Sequence, residues 1–108
     1  MPAVDETTLT RYSNDGFVVV DEVLSAHELE TLRNRMTEIS AGRVPSFPAG
    51  NIEFEPGTSV PRKINQCARH DEIFMAHATN SRILDVVETL IGPDIKLFGS
   101  QCFMKPPG

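Results

Sequence analysis

Between Arg43 and Arg62 the chain places Pro45, Pro48, Pro56 and Pro61, with Gly50 and Gly57 among them. Each proline removes a backbone donor and fixes φ, so neither a continuous helix nor a central strand can run through the stretch. The chain is thereby divided into a leading and a trailing half joined by a flexible Pro/Gly-rich loop over residues 43–62. A loop of roughly 15–20 residues is longer than a compact domain carries without a reason. Two readings stand side by side. One is a flap over a cleft, with Phe47, Ile52 and Phe54 as its apolar contacts; the other is a mobile surface excursion.

The leading half reads as helix, strand, helix. Asp5 is a candidate N-cap for a helix over Glu6–Asn14, with Val4 and Leu9 as a hydrophobic staple, and Gly16 supplies the left-handed stop. Phe17, Val18, Val19 and Val20 are consecutive and mostly β-branched, which predicts a short strand buried on both faces. Ser25 and Glu28 form a capping box for a second helix. Its apolar stripe is Leu29, Leu32, Met36 and Ile39, and Gly42 ends it. Glu28, Glu30, Arg33, Arg35 and Glu38 fall on the other sides as a solvated face, and His27 is exposed in the first turn.

In the trailing half, Lys63–Cys67 alternates briefly as a short strand, and Asp71–His77 reads as a helical turn with Ile73 and Phe74 inward. Asn80 or Ser81 caps a clearer helix, in which Ile83, Leu84, Val87, Leu90 and Ile91 recur at helical spacing before Gly92-Pro93 stops it. The final segment, Ile95 to Gly108, begins as an alternating run and ends in Pro-Pro-Gly, so it reads as one long strand over Ile95–Lys105. Period two puts Gln101, Phe103 and Lys105 on one face and Cys102 and Met104 on the other. Gly99 removes a side chain from the first face, which marks a bend or a close approach by a ligand. One face thus carries an amide, a ring and an ammonium in succession, suited to a cleft wall. A solvated strand-end lysine is the plainer reading of Lys105.

Net charge is −5, which disfavours a nucleic-acid partner. No apolar run reaches the ~20 residues that span a bilayer, and the amino terminus lacks the features of a leader. These features predict a soluble, intracellular, cytoplasmic protein with no membrane partner. Cys67 and Cys102 make no disulfide framework and read as reduced thiols. Cys67, His70, His77 and Cys102 together are of the type zinc accepts, although their spacing lacks the paired motifs of zinc sites.

Three segments, YSNDGFVVVDEVLSAHEL, SRILDVVETLIGPDIKLF and the terminal IKLFGSQCFMKPPG, occur in order over about Leu9–Gly108. Together they resemble the N-terminal part of the phytanoyl-CoA dioxygenase family, oxygenases dependent on non-haem Fe(II) and 2-oxoglutarate. The resemblance implies an α+β fold. N-terminal helices pack on the first strands of a double-stranded β-helix, a jelly roll that is incomplete in this chain. Residues 1–108 are then a single domain, the N-terminal portion of a dioxygenase domain, and the 43–62 loop leans toward the flap. The resemblance further implies that Lys105, in the Lys-Pro-Pro segment, binds 2-oxoglutarate. Strand geometry adds Gln101, two positions back on the same face, as a second residue for the cosubstrate or substrate.

The family's iron ligands stand in a His-x-Asp segment and a later His. A facial triad of two imidazoles and one carboxylate is what such iron requires. Here His27, His70 and His77 stand in no His-x-Asp or His-x-Glu, so no catalytic or metal-ligating residue is assigned. The implied function is hydroxylation of a small organic or acyl substrate by the complete protein, with Fe(II) and 2-oxoglutarate as cofactors. The 108-residue chain alone is expected to bind neither cofactor and to be inactive. A non-catalytic fragment or interaction module is the alternative, and a small zinc domain is the third reading. Neither the substrate, nor hydroxylase against halogenase chemistry, nor the oligomeric state is readable here.

Overall fold

The structure is a computed structural model and describes residues 4–104. Its first helix, α1 (Glu6–Asp15), begins where the Asp5 side chain accepts from the Thr8 N–H and ends at Gly16, whose φ of 82° is the left-handed stop. The second, α2 (Ala26–Ser40), carries the full capping box: Ser25 Oγ accepts from the Glu28 N–H, and the Glu28 carboxylate accepts from the Ser25 N–H. Two short strands follow, β1 (Ile52–Phe54) and β2 (Pro61–Asn65), then α3 (Cys67–His70), α4 (Glu72–Ala78), α5 (Ser81–Ile91) and β3 (Gln101–Phe103). No helix among the described residues is long and apolar enough to cross a membrane.

The strands form an antiparallel sheet in the order β1-β2-β3. Ile52 opposes Ile64, and Ile64 opposes Cys102. This row faces the helices, and Ile64 is completely buried. It joins Ile39 of α2, Val44, Phe47 and Cys67 in the core, with Met36, Phe74 and Met104 packed around them. Helix α2 is tied to α4 by a buried ion pair. The Asp71 carboxylate, 4% exposed, accepts from Arg35 Nε at 2.8 Å and from Arg35 Nη2 at 2.7 Å, while also capping α4 through the Phe74 N–H. Arg35 therefore does not lie on a solvated face as its helical position suggests, because its partner stands 36 residues away.

Three further expectations are corrected. Residues 43–62 are not a loop throughout: they hold a 3₁₀ turn (Ala49–Asn51) and β1, and Phe47 is buried in the core instead of covering a cleft. The prolines sit where a strand tolerates them, Pro56 in the turn between the strands and Pro61 as the first residue of β2. Phe17–Val20 forms no strand, and Phe17 and Val19 are exposed, because no described segment pairs with them. The terminal strand is shorter than the alternation predicts. Pairing with β2 begins only at Gln101, since Ser100 turns its backbone to another task, and beyond Phe103 the Met104 N–H still donates to the Arg62 carbonyl. The Ser100 carbonyl accepts from the Cys67 N–H and its hydroxyl from the Ala68 N–H, capping the start of α3. That single-turn helix follows Gln66, which holds the left-handed conformation at φ 55°, and it has no sequence signal of its own.

Candidate functional site

The same register that buries Ile64 and Cys102 turns their neighbours away from the helices. Glu53 opposes Lys63, and Lys63 opposes Phe103, in one cross-strand row; Asn65 opposes Gln101 in the next. This outward face carries a carboxylate, an ammonium, two amides and an aromatic ring across three strands. Gln101 and Phe103 are exposed on it, while Cys102 and Met104 pack toward the core, as the alternation of the terminal segment predicts. Lys105, the other residue expected on this face, lies outside the described residues.

The polar groups of the face are tied together. Asn65 Nδ2 donates to Glu53 Oε2 at 2.6 Å, and the Asn65 carbonyl accepts from Asn51 Nδ2 at 3.2 Å. The register skips Arg62, the extra residue of an irregularity between β1 and β2, and its guanidinium reaches Glu53 Oε1 at 3.2 Å. The hydrogen bond from Asn65, assisted by nearby Lys63 and Arg62, holds the Glu53 carboxyl below its ordinary pKa. Lys63 Nζ stands 5.3 Å from the centroid of the Phe103 ring, within cation–π range. Sequence reasoning placed Gln101 on this face but did not show that Glu53, Lys63 and Asn65 share it. The brief alternation of Lys63–Cys67 was the one available signal, and the pairing that gives it meaning spans dozens of residues.

The four candidate zinc ligands do not converge. Among the described residues no three His, Cys, Asp or Glu side chains stand together as a metal site. Cys67 is buried, donates to the Ile64 carbonyl, and has its thiol pushed up to about 11 by burial and then by nearby Cys102. Cys102 lies 3.1 Å from Met36 Sδ, and burial raises its thiol as well. His70 meets the Phe47 ring edge-on at 6.0 Å, and His77 Nδ1 is buried on α4 with no hydrogen-bond partner among the described residues. His27 lies on α2, exposed as expected.

Helices backing one face of an antiparallel sheet, with polar side chains gathered on the other, define an α+β protein whose open sheet face is the candidate site. The fold has a solved counterpart: the crystal structure of EctD from S. alaskensis with bound Fe superposes with a TM-score of 0.81 at 21% identity, covering 93% of this chain. This chain spans 35% of that one, about a third of its length. No curated protein matches. The sequence profile of the family described as phytanoyl-CoA dioxygenase (PhyH) matches residues 12–108. The chain belongs to the phytanoyl-CoA dioxygenase family.

Proposed function

We propose that the chain is the N-terminal part of an Fe(II)/2-oxoglutarate-dependent dioxygenase that hydroxylates a small organic or acyl substrate. The observation that carries this reading is the family match over residues 12–108. The iron in the structure of EctD agrees with it. In this reading the strands are the first of a jelly roll whose interior is the outward face of the sheet, and α2, α3 and α4 pack on its other side. Iron and 2-oxoglutarate supply the oxidation when bound, and the protein's share is binding and orientation.

The described residues do not fit iron, since no three metal-ligating side chains converge, and no catalytic step through the metal is derived from them. What this chain contributes is a wall. Lys105 offers its ammonium to a carboxylate of 2-oxoglutarate, and the Gln101 amide, exposed on the outward sheet face, donates to the cosubstrate or substrate. Both act by charge neutralisation and placement. Neither moves a proton.

The test is to read the encoding frame beyond the codon for Gly108. A His-x-Asp segment followed by a later His and Arg supports the oxygenase reading. A stop codon, or a continuation without those residues, contradicts it and leaves a non-catalytic interaction module.

A further inference from the structure

The outward sheet face holds an unbalanced charge. Its one carboxylate in the cross-strand rows, Glu53, is engaged on both oxygens, by Asn65 and by Arg62. Arg62 is the cation in ion-pair contact with Glu53, and Lys63 acts on that carboxylate only from a longer distance. Lys63 is then a second cation on the same face, and among the described residues it has no carboxylate in ion-pair contact. Lys63 is half-buried as a residue, and its ammonium is left free of any ion-pair contact among the described residues. The Phe103 ring fixes its position. With Nζ 5.3 Å from the ring centroid, the lysine stem lies along an apolar surface instead of ranging through solvent.

We propose that Lys63 is a specificity-determining residue that binds the carboxylate of a small-molecule substrate whose apolar body rests on Phe103. The placement follows from the register. Lys63 and Phe103 are directly opposed, and Gln101 stands on the same face beside Phe103, opposite Asn65. A ligand held at Gln101 therefore has an ammonium and a ring within its own length. The reading above reserves Lys105 for the cosubstrate, which leaves the Lys63 ammonium for the substrate's carboxylate. The Glu53–Asn65 bond positions the arrangement: it occupies the carboxylate that would otherwise draw Lys63 away from the cleft. Lysine suits this role as a compact point charge on a flexible stem, and arginine at 63 would keep the charge.

This inference rests on the outward face being the dioxygenase cleft, and its test separates the two. The complete protein encoded by the frame is titrated with hexanoate, with hexanamide as its neutral counterpart, and with 2-oxoglutarate, following ¹⁵N shifts in the wild type, Lys63→Met and Lys63→Arg. Hexanoate binding is expected to weaken at least about tenfold in Lys63→Met and to survive in Lys63→Arg, with hexanamide and 2-oxoglutarate indifferent to either change. An unchanged hexanoate affinity in Lys63→Met overturns the proposal, as does equal weakening of hexanamide or a wild type that binds no hexanoate. Weakening of 2-oxoglutarate with hexanoate spared overturns it too, by assigning Lys63 to the cosubstrate. A wild type that binds hexanoate through Lys63 but ignores 2-oxoglutarate sinks the dioxygenase reading and leaves the carboxylate site standing.

Discussion

At the scale of single residues, Asp71 makes the most consequential contacts. Its two oxygens hold the Arg35 fork and the first turn of α4 in a nearly dry environment. Asp71→Ala leaves the half-buried guanidinium with only its 3.8 Å contact to Glu38 and removes a helix cap, and it should cost about 3 kcal/mol, read from urea denaturation. A loss below about 1 kcal/mol would place the pair among weak surface contacts. Glu28 gives a pH-dependent expectation. The Ser25 backbone N–H, then Arg82, the Ser25 hydroxyl and Asn80, lower its carboxyl from 4.5 to about 2. Folding thus weakens proton binding there, so the contribution is present above pH 4.5 and is lost as pH falls from 4.5 toward 2. Urea midpoints across that window should fall less steeply in Glu28→Gln than in the wild type. Cys67 yields a third expectation: its thiol, at about 11 and buried, should react with a disulfide reagent at pH 8 only after denaturant opens the core. None of these roles except the capping box was readable beforehand. Asp71 and Arg35 are ordinary charged residues in sequence, and only the approach of α4 to α2 turns them into a pair.

At the scale of elements, the longer helices were legible with their ends, whereas the strands at Lys63–Cys67 and in the terminal segment were legible only in part, β1 and the short α3 were not, and Phe17–Val20 was misread, for a physical reason. A helix carries its start and stop within a few residues, as in Asp5, Ser25, Asn80 and the left-handed Gly16, and each of these caps is present in the structure. A strand is completed by a partner that the local sequence does not name. Phe17–Val20 has the composition of a strand and remains unpaired among the described residues, whereas Ile52–Phe54 pairs in spite of its proline-rich surroundings. The alternation of the terminal segment did assign its faces correctly at Gln101–Phe103. The cap of α3 shows why the rest of that segment departs from a strand. Ser100→Ala should leave the Ala68 N–H without its hydroxyl partner in a buried position, costing about 1–3 kcal/mol. Amide exchange at Ala68 should rise more in that variant than exchange in α5. Equal protection in variant and wild type would mean that the backbone contact from Ser100 suffices.

At the scale of the molecule, the chain is more open than its length requires. Its radius of gyration is 16.0 Å, against about 13 Å for a compact domain of this size. Phe98 is fully exposed and Phe103 is 67% exposed, so apolar surface faces outward at the same end of the sequence as the candidate site. This exposure accords with a sheet that is one wall of a larger barrel, as proposed above, and the chain spans only about a third of the length of the EctD structure it resembles. The family was legible in the order of three sequence segments, and the sheet face in one alternating run. The residues that share that face from β1 and β2 became visible only through pairing. Cosubstrate binding at the outward sheet face, as proposed, is checked by calorimetric titration of the complete protein with 2-oxoglutarate. The wild type is expected to bind, and Lys105→Ala to bind about tenfold or more weakly. An affinity that Lys105→Ala leaves unchanged would contradict the proposal.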